Sequence, residues 1–188
     1  SQVVRAPMCR ELLENEAEKH MKRRAYGGVT LLVRNDLIVS SVVKDDSGYQ
    51  IQATVTIPNN KREVNVLAVY GKLDSTKARQ WKKIYRKIKK EASEGNTDSI
   101  PDLIMGDMNC APEQRDRETL LKGVVQPTKK SKHKNDERYF RKLASRLLYI
   151  DTWRHFHPHT TTFSWEVRQK KGSTFRSRID HILVGEHM

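Results

Sequence analysis

The chain has few of the residues that would staple it or anchor it. Its 188 residues include only two cysteines, Cys9 and Cys110. Neither has a CxxC partner or a histidine at zinc spacing, so both are expected to be free thiols rather than a disulfide or a metal site. No apolar run reaches the roughly 18 residues of a membrane span, and no secretory leader pattern opens the sequence. The expectation is a soluble, intracellular, nuclear protein with no membrane partner. Acids are scarce as well: 23 Asp and Glu face 36 Lys and Arg, for a formal charge of +13. That imbalance points to a polyanionic partner, DNA first and RNA second, against the competing reading of a basic surface kept for solubility.

What is present supports one folded unit, since 36% of the residues are hydrophobic and the length suits a single domain. Residues 1–25 are expected to form an N-terminal amphipathic helix, with Met8, Leu12, Leu13, Ala17 and Met21 near one face of Pro7–Arg24. The domain proper then runs over 26–188. Val29–Val33, Ile38–Val43, Tyr49–Ile57 and Val64–Tyr70 are β-branched or alternating runs separated by turn residues, and they predict an antiparallel meander. A helix is expected over Ser75–Ala92, capped by Asp74 or Ser75, with Trp81, Ile84, Tyr85 and Ile88 as its buried stripe. Further expectations are a short strand at Asp102–Met105, an irregular basic excursion over Thr119–Lys134, a helix at Arg138–Leu148, and strands at Thr160–Val167 and Ile179–Val184.

Two strand ends carry chemistry. Gly106-Asp107-Met108-Asn109 follows an apolar strand, and residues two apart share a face, so one carboxylate and one carboxamide emerge together. Such a pair can orient a water and donate to a phosphoryl oxygen, or it can simply close an Asx-turn. Near the other end of the chain, Arg178-Ile179-Asp180-His181-Ile182 sets an acid in an apolar run. Alternation pairs Asp180 with Ile182, an apolar setting in which a carboxylate needs a hydrogen-bond partner. His181 reads as a satisfied, partly buried histidine. His155, His157 and His159 alternate without a fourth ligand or an acid cluster nearby, and Trp153 and Trp165 read as core.

The ordered passages GGVTLLVRNDL, VLAVYGK, LIMGDMN, YIDTWRHFHPHTTTFSW and SRIDHILV resemble the endonuclease/exonuclease/phosphatase superfamily. They look most like the endonuclease domain of non-LTR, LINE-type retrotransposons, over roughly Tyr26–Val184. The resemblance implies an α+β fold, an α/β/β/α sandwich of two mostly antiparallel sheets with flanking helices, incomplete relative to the family and truncated at both ends. It implies a phosphate contact for Tyr70, water activation for Asp107, phosphate or leaving-group binding for Asn109, a cleft-lining role for Thr162, and orientation of a catalytic histidine for Asp180. Mg²⁺ or Mn²⁺ is implied too, with Asp107 the single candidate ligand. The family's Gln-Glu dipeptide and Ser-Asp-His segment do not occur in this chain, and Glu11, Glu14, Glu16 and Glu18 do not match the metal-binding glutamate. The expectation is an endonuclease-like domain of weak or no activity, with a non-catalytic nucleic-acid-binding or protein-interaction module as the alternative. Backbone phosphates are assigned to Lys82, Lys83, Arg86 and Lys87 of the basic helix, to Lys129, Lys130 and Lys132, and to Arg176 and Arg178. Missing terminal strands would leave sheet edges open to self-association or a partner chain.

Overall fold

Alternating apolar residues dominate the first half of the chain, and they fold as strands. The computed structural model describes residues 2–7, 28–126, 137–169 and 172–186. In chain order these form β1 (Gln2–Pro7), β2 (Gly28–Val33), β3 (Ile38–Lys44), β4 (Gln50–Ile57), β5 (Arg62–Val69), α1 (Lys77–Ser93), β6 (Leu103–Asp107), β7 (Arg117–Leu121) and β8 (Val124–Gln126). There follow α2 (Arg138–Leu147), β9 (Tyr149–Asp151), α3 (Thr152–Phe156), β10 (Trp165–Arg168), β11 (Ser173–Ser177) and β12 (Asp180–Gly185). The main sheet has the order β3-β4-β5-β6-β12-β9; β10-β11-β7-β8 form a second sheet and β1-β2 a ribbon. Of these pairings only β5 with β6 is parallel, and α1 is the crossover that a parallel pair requires.

β5 explains the layering, because it is buried on both faces. Leu67 and Val69 join Ile104, Leu183, the α1 stripe, and Phe140 and Leu143 of α2 in one core. Val64, Val66 and Ala68 turn the other way and meet Ile51, Ala53 and Val55 of β4 and Val29, Leu31 and Val33 of β2 in a second core. The result is the expected α+β sandwich, with helices against one face of the main sheet and the β1-β2 ribbon against the other. Within α1, Trp81, Ile84, Tyr85 and Ile88 are buried as expected, and Gln80 with them. At about 1.5–3 kcal/mol per apolar side chain, that stripe is the main force holding α1 to the sheet.

The differences from expectation have local causes. The meander holds for β3-β4-β5, but β2 pairs with β1 instead of β3. Its one-sided burial suits packing across a sheet face. α1 starts at Lys77 with Thr76 as N-cap, because the Asp74 carboxylate accepts from the backbone N and hydroxyl of Thr76, at 2.7 and 2.5 Å, and closes a turn first. The basic excursion begins as the β7-β8 hairpin, turned by Lys122 and Gly123 at positive φ of 50° and 81°. Its Lys129, Lys130, Lys132 and Lys134 lie outside the described residues, as does the expected N-terminal helix beyond Pro7, which itself ends β1. The strand expected from Thr160 starts only at Trp165, since Arg154 donates to the carbonyls of His157 (3.3 Å) and Thr160 (2.9 Å) and ties that stretch into a loop.

Candidate active site

Three adjoining strands end together. In the antiparallel β6-β12 register Asp107 lies opposite Asp180. In the parallel β5-β6 register Ala68 matches Met105, and two residues on, Tyr70 comes level with Asp107, where the Gly71 N–H donates to the Asp107 carbonyl at 2.6 Å. Since alternate residues share a face, Tyr70, Asp107 and Asp180 form a row on the side of the sheet opposite the helices. Two glycines make the close approach possible. A Cβ on Gly106, whose φ is +133°, would stand 2.2 Å from the Val69 carbonyl oxygen, and one on Gly71 would stand 2.1 Å from that of Met108.

Asn109 follows at a left-handed φ of 48°, its backbone N–H donating to Asp107 Oδ1 at 2.9 Å. The Asx-turn is therefore present, and it orients the pair. Asn109 Nδ2 donates to the Gly71 carbonyl at 2.6 Å, and Lys77 Nζ to the Asn109 carbonyl at 2.9 Å. Gln80, buried in α1, laces the facing loop by accepting from the Lys72 N–H (2.9 Å) and donating to the Tyr70 carbonyl (3.1 Å). Completely buried Met108 and Cys110 anchor the turn. Burial pushes the Asp107 carboxyl above its ordinary range and the charge of Asp180 adds to this, against the Asn109 N–H, His181 and Lys77.

Asp180 itself is exposed, where an apolar setting was expected. It stands in a cleft of about 580 Å³ lined also by Trp153, Phe156, Thr162, Ser164 and Ile182. The Ser164 hydroxyl accepts from the N–H groups of Ile179 (3.1 Å) and Asp180 (3.2 Å) and fixes the start of β12. The structure thus brings Tyr70, Asp107, Asn109 and Asp180 together at one sheet end, with Thr162 in the cleft that Asp180 enters. Trp153 and Trp165 are corrected from core to surface, at 36% and 44% exposure, because α3 is a single short turn and β10 is an edge strand. His157 packs at a tilt on Trp153 and His155 meets Phe156 edge to face, with centroids 4.1 and 5.0 Å apart.

Behind the row lies an ionic cluster whose partners sequence reasoning did not pair. Asp116, fully buried, accepts from Arg178 Nε at 2.9 Å, Arg154 Nη2 at 2.7 Å and the Glu113 N–H at 3.0 Å. Asp151 caps α3 through the Arg154 N–H (3.1 Å) and meets Arg178 Nη1 (2.8 Å) and His181 Nδ1 (3.0 Å). His181 is buried, its Nε2 2.8 Å from the Cys110 carbonyl. Burial alone would raise the Asp151 carboxyl; the hydrogen bonds from His181 and the Arg154 N–H and the charge of Arg178 outweigh it and bring it down to about 2. The cluster corrects one assignment: the Arg178 guanidinium is 3% exposed and turned to two carboxylates, so it is not placed to meet a phosphate. The aspartate just ahead of Thr152 was the available sign of a helix cap, since its carboxylate accepts from the backbone N–H three residues on. Arg176 is paired with Glu166 and Glu118, whereas Lys83, Arg86 and Lys87 of α1 are exposed and Lys82 half-buried.

Asp107 and Asp180 offer two neighbouring carboxylates to a divalent cation, and among the described residues no group of three or more His, Cys, Asp or Glu forms around them. Two carboxylates leave most of an octahedral Mg²⁺ shell to other donors, so the described residues do not by themselves make the ion's site.

An α+β sandwich with acids, an amide and a phenol at adjoining strand ends has the donors and acceptors for a phosphate ester. The endonuclease/exonuclease/phosphatase family model matches residues 14–188, and the chain belongs to that family. It is 31% identical over 86 residues to the transposon TX1 uncharacterized 149 kDa protein of Xenopus laevis, a match over 46% of this chain and 6% of the relative. Among solved structures it is similar to the AP endonuclease LMAP of Leishmania major, with 13% identity and a TM-score of 0.47 over 76% of this chain and 47% of that one. It is also similar to the human Nocturnin catalytic domain, with 10% identity and a TM-score of 0.45 over 84% and 51%. The chain therefore spans about half of each solved relative and a small part of the curated one.

Proposed function

We propose that this chain is an endonuclease-like domain of the retrotransposon kind, which engages the phosphodiester backbone of DNA and by itself hydrolyses it slowly or not at all. The observation that carries the reading is the facing of Asp107 and Asp180 beside Tyr70 and Asn109. In that row Asp107 orients or deprotonates a water, and its raised pKa suits a general base. Asn109 has a second amide hydrogen for a phosphoryl oxygen, and the Tyr70 hydroxyl adds another donor. The family is generally dependent on a divalent metal, and the described residues that would help to hold Mg²⁺ or Mn²⁺ are Asp107 and Asp180. Support for low turnover comes from the two carboxylates, Asp107 and Asp180, that the described residues place at the row.

A second reading, a binding module without catalysis, is favoured by the exposed Lys83, Arg86 and Lys87 of α1, since backbone contact needs cations alone. Both readings meet in one experiment. Supercoiled plasmid is incubated with the protein and Mg²⁺ or Mn²⁺, and retention of DNA and RNA is followed across a salt series. The expected result is retention that falls steeply with salt, with nicking near background. Metal-dependent nicking that disappears in both Asp107→Ala and Asn109→Ala would overturn the low turnover. Failure to retain either nucleic acid at low salt would overturn the nucleic-acid reading altogether.

A further inference from the structure

The row of site residues does not stop at Tyr70. Gln50 opens β4 opposite Val69, so Tyr49 lies opposite Tyr70, and the Tyr70 N–H donates to the Tyr49 carbonyl at 2.9 Å. The two rings are parallel within 5°, with centroids 6.0 Å apart. Lys72 Nζ stands 4.7 Å from the centroid of the Tyr49 ring. The order across four strand ends is thus Asp180, Asp107, Tyr70 and Tyr49, with an ammonium group at the far end.

We propose that Tyr49 and Lys72 form a second phosphate subsite for the strand of nucleic acid that Asp107, Asn109 and Tyr70 face. The inference rests on the function proposed above. Neighbouring strands are about 4.8 Å apart, so Tyr49 lies about 10 Å along the row from Asp107, farther than successive phosphates of one nucleic-acid strand stand from each other. A contact there belongs to a different phosphate from the one at Asp107. Charge balance gives the subsite its purpose. Two carboxylates at one end of the row repel a polyanion, and a cation beyond Tyr70 holds the chain across them. Lys72 is suited to that task, because the aromatic face orients its ammonium while leaving donors for a phosphate oxygen. The Asp74 carboxylate, which feels the charge of Lys72, is itself hydrogen-bonded to the backbone N–H and hydroxyl of Thr76. Lys72 and Tyr49 are both partly exposed.

The test is binding of fluorescein-labelled DNA, single-stranded and duplex, by anisotropy at several salt concentrations, with the full chain and three variants. Lys72→Ala is expected to weaken binding roughly three- to tenfold and to reduce the slope of log K against log salt by about one. Tyr49→Ala should weaken binding in the same direction. Lys61→Ala, in the exposed turn at the opposite end of the β4-β5 hairpin, should leave the slope unchanged. An unchanged slope in Lys72→Ala, or an equal loss in Lys61→Ala, would overturn the subsite while leaving the nucleic-acid reading in place. Absence of binding by the wild-type chain would overturn both, so the two failures are told apart by the wild-type curve.

Discussion

Replacing Asp151 by asparagine probes the ionic cluster with the smallest change of shape. The carboxylate accepts from His181, from Arg178 and from the Arg154 N–H that opens α3. Asparagine keeps the cap acceptor but removes one of the two carboxylate charges that face Arg178, which is 3% exposed and keeps Asp116. Breaking one side of a buried pair costs about 3–5 kcal/mol, and both the 17% exposure of the Asp151 side chain and the Asp116 carboxylate left to Arg178 favour the lower end. For a domain of this size the expected fall in Tm at pH 7 is roughly 6–12 °C.

The dependence on pH separates this account from a general packing defect. The Asp151 carboxyl is held at about 2 against an ordinary 3.8, a difference worth roughly 2 kcal/mol. Because the folded value is the lower one, the stabilisation is complete above the unfolded value and is lost as pH falls through the folded one. Urea unfolding of wild type and Asp151→Asn in parallel should therefore show a gap that is constant from pH 7 to 5. It should narrow by about 1 kcal/mol at pH 3 and roughly 2 kcal/mol at pH 2. Carboxylates common to both proteins cancel in the difference. A gap that stays constant down to pH 2, or no gap at pH 7, would refute the role given to the Asp151 charge.

Two other substitutions test the row itself. Gly71→Ala would place a Cβ 2.1 Å from the Met108 carbonyl oxygen and 2.4 Å from its carbon, so two backbone segments must part. A loss of about 2–4 kcal/mol in chemical denaturation is expected, with weaker DNA retention because the Asn109–Gly71 hydrogen bond moves with them; an unchanged unfolding midpoint would count against the close crossing. Asp107→Asn should do the reverse for stability. Burial and Asp180 raise the Asp107 carboxyl, so its ionised form is the one the fold disfavours. The neutral amide should raise Tm at pH 7, with the advantage disappearing as pH falls into the range where the wild-type carboxyl is itself protonated, while any nicking activity is lost. A lower Tm at pH 7 would contradict the argument.

Much of the row was legible because its parts are local. Gly106-Asp107-Met108-Asn109 announces a turn after a strand, and Ile179-Asp180-His181-Ile182 an acid carried into an apolar strand. Neither reveals that the two strands are neighbours; the resemblance to the family implied only that Asp107 and Asp180 belong to one site. The ionic cluster was not legible, for a reason of arithmetic. With 36 cations and 23 acids in the chain, nothing local selects Asp116 as the partner of Arg154 and Arg178. The tryptophans misled in the opposite way, since size predicts burial only where an element has a neighbour on the relevant side. Trp153 on a five-residue helix and Trp165 on an edge strand do not.

The outcome for Asp180 and His181 shows what those unpredicted contacts do for the site. Alternation alone allows either residue to face inward, and hydrophobicity does not choose between an acid and an imidazole flanked by isoleucines. The choice is made by polar partners on one side of the strand. His181 finds the Cys110 carbonyl and the Asp151 carboxylate there, and its ring packs 5.0 Å from Phe140, so it turns inward. Asp180 is then obliged to face outward, opposite Asp107 and beside the cleft. The cluster behind the sheet therefore sets the register face that the row in front depends on. Loosening Asp151 should disturb phosphate binding as well as stability, although Asp151 belongs to the hidden cluster and not to the row.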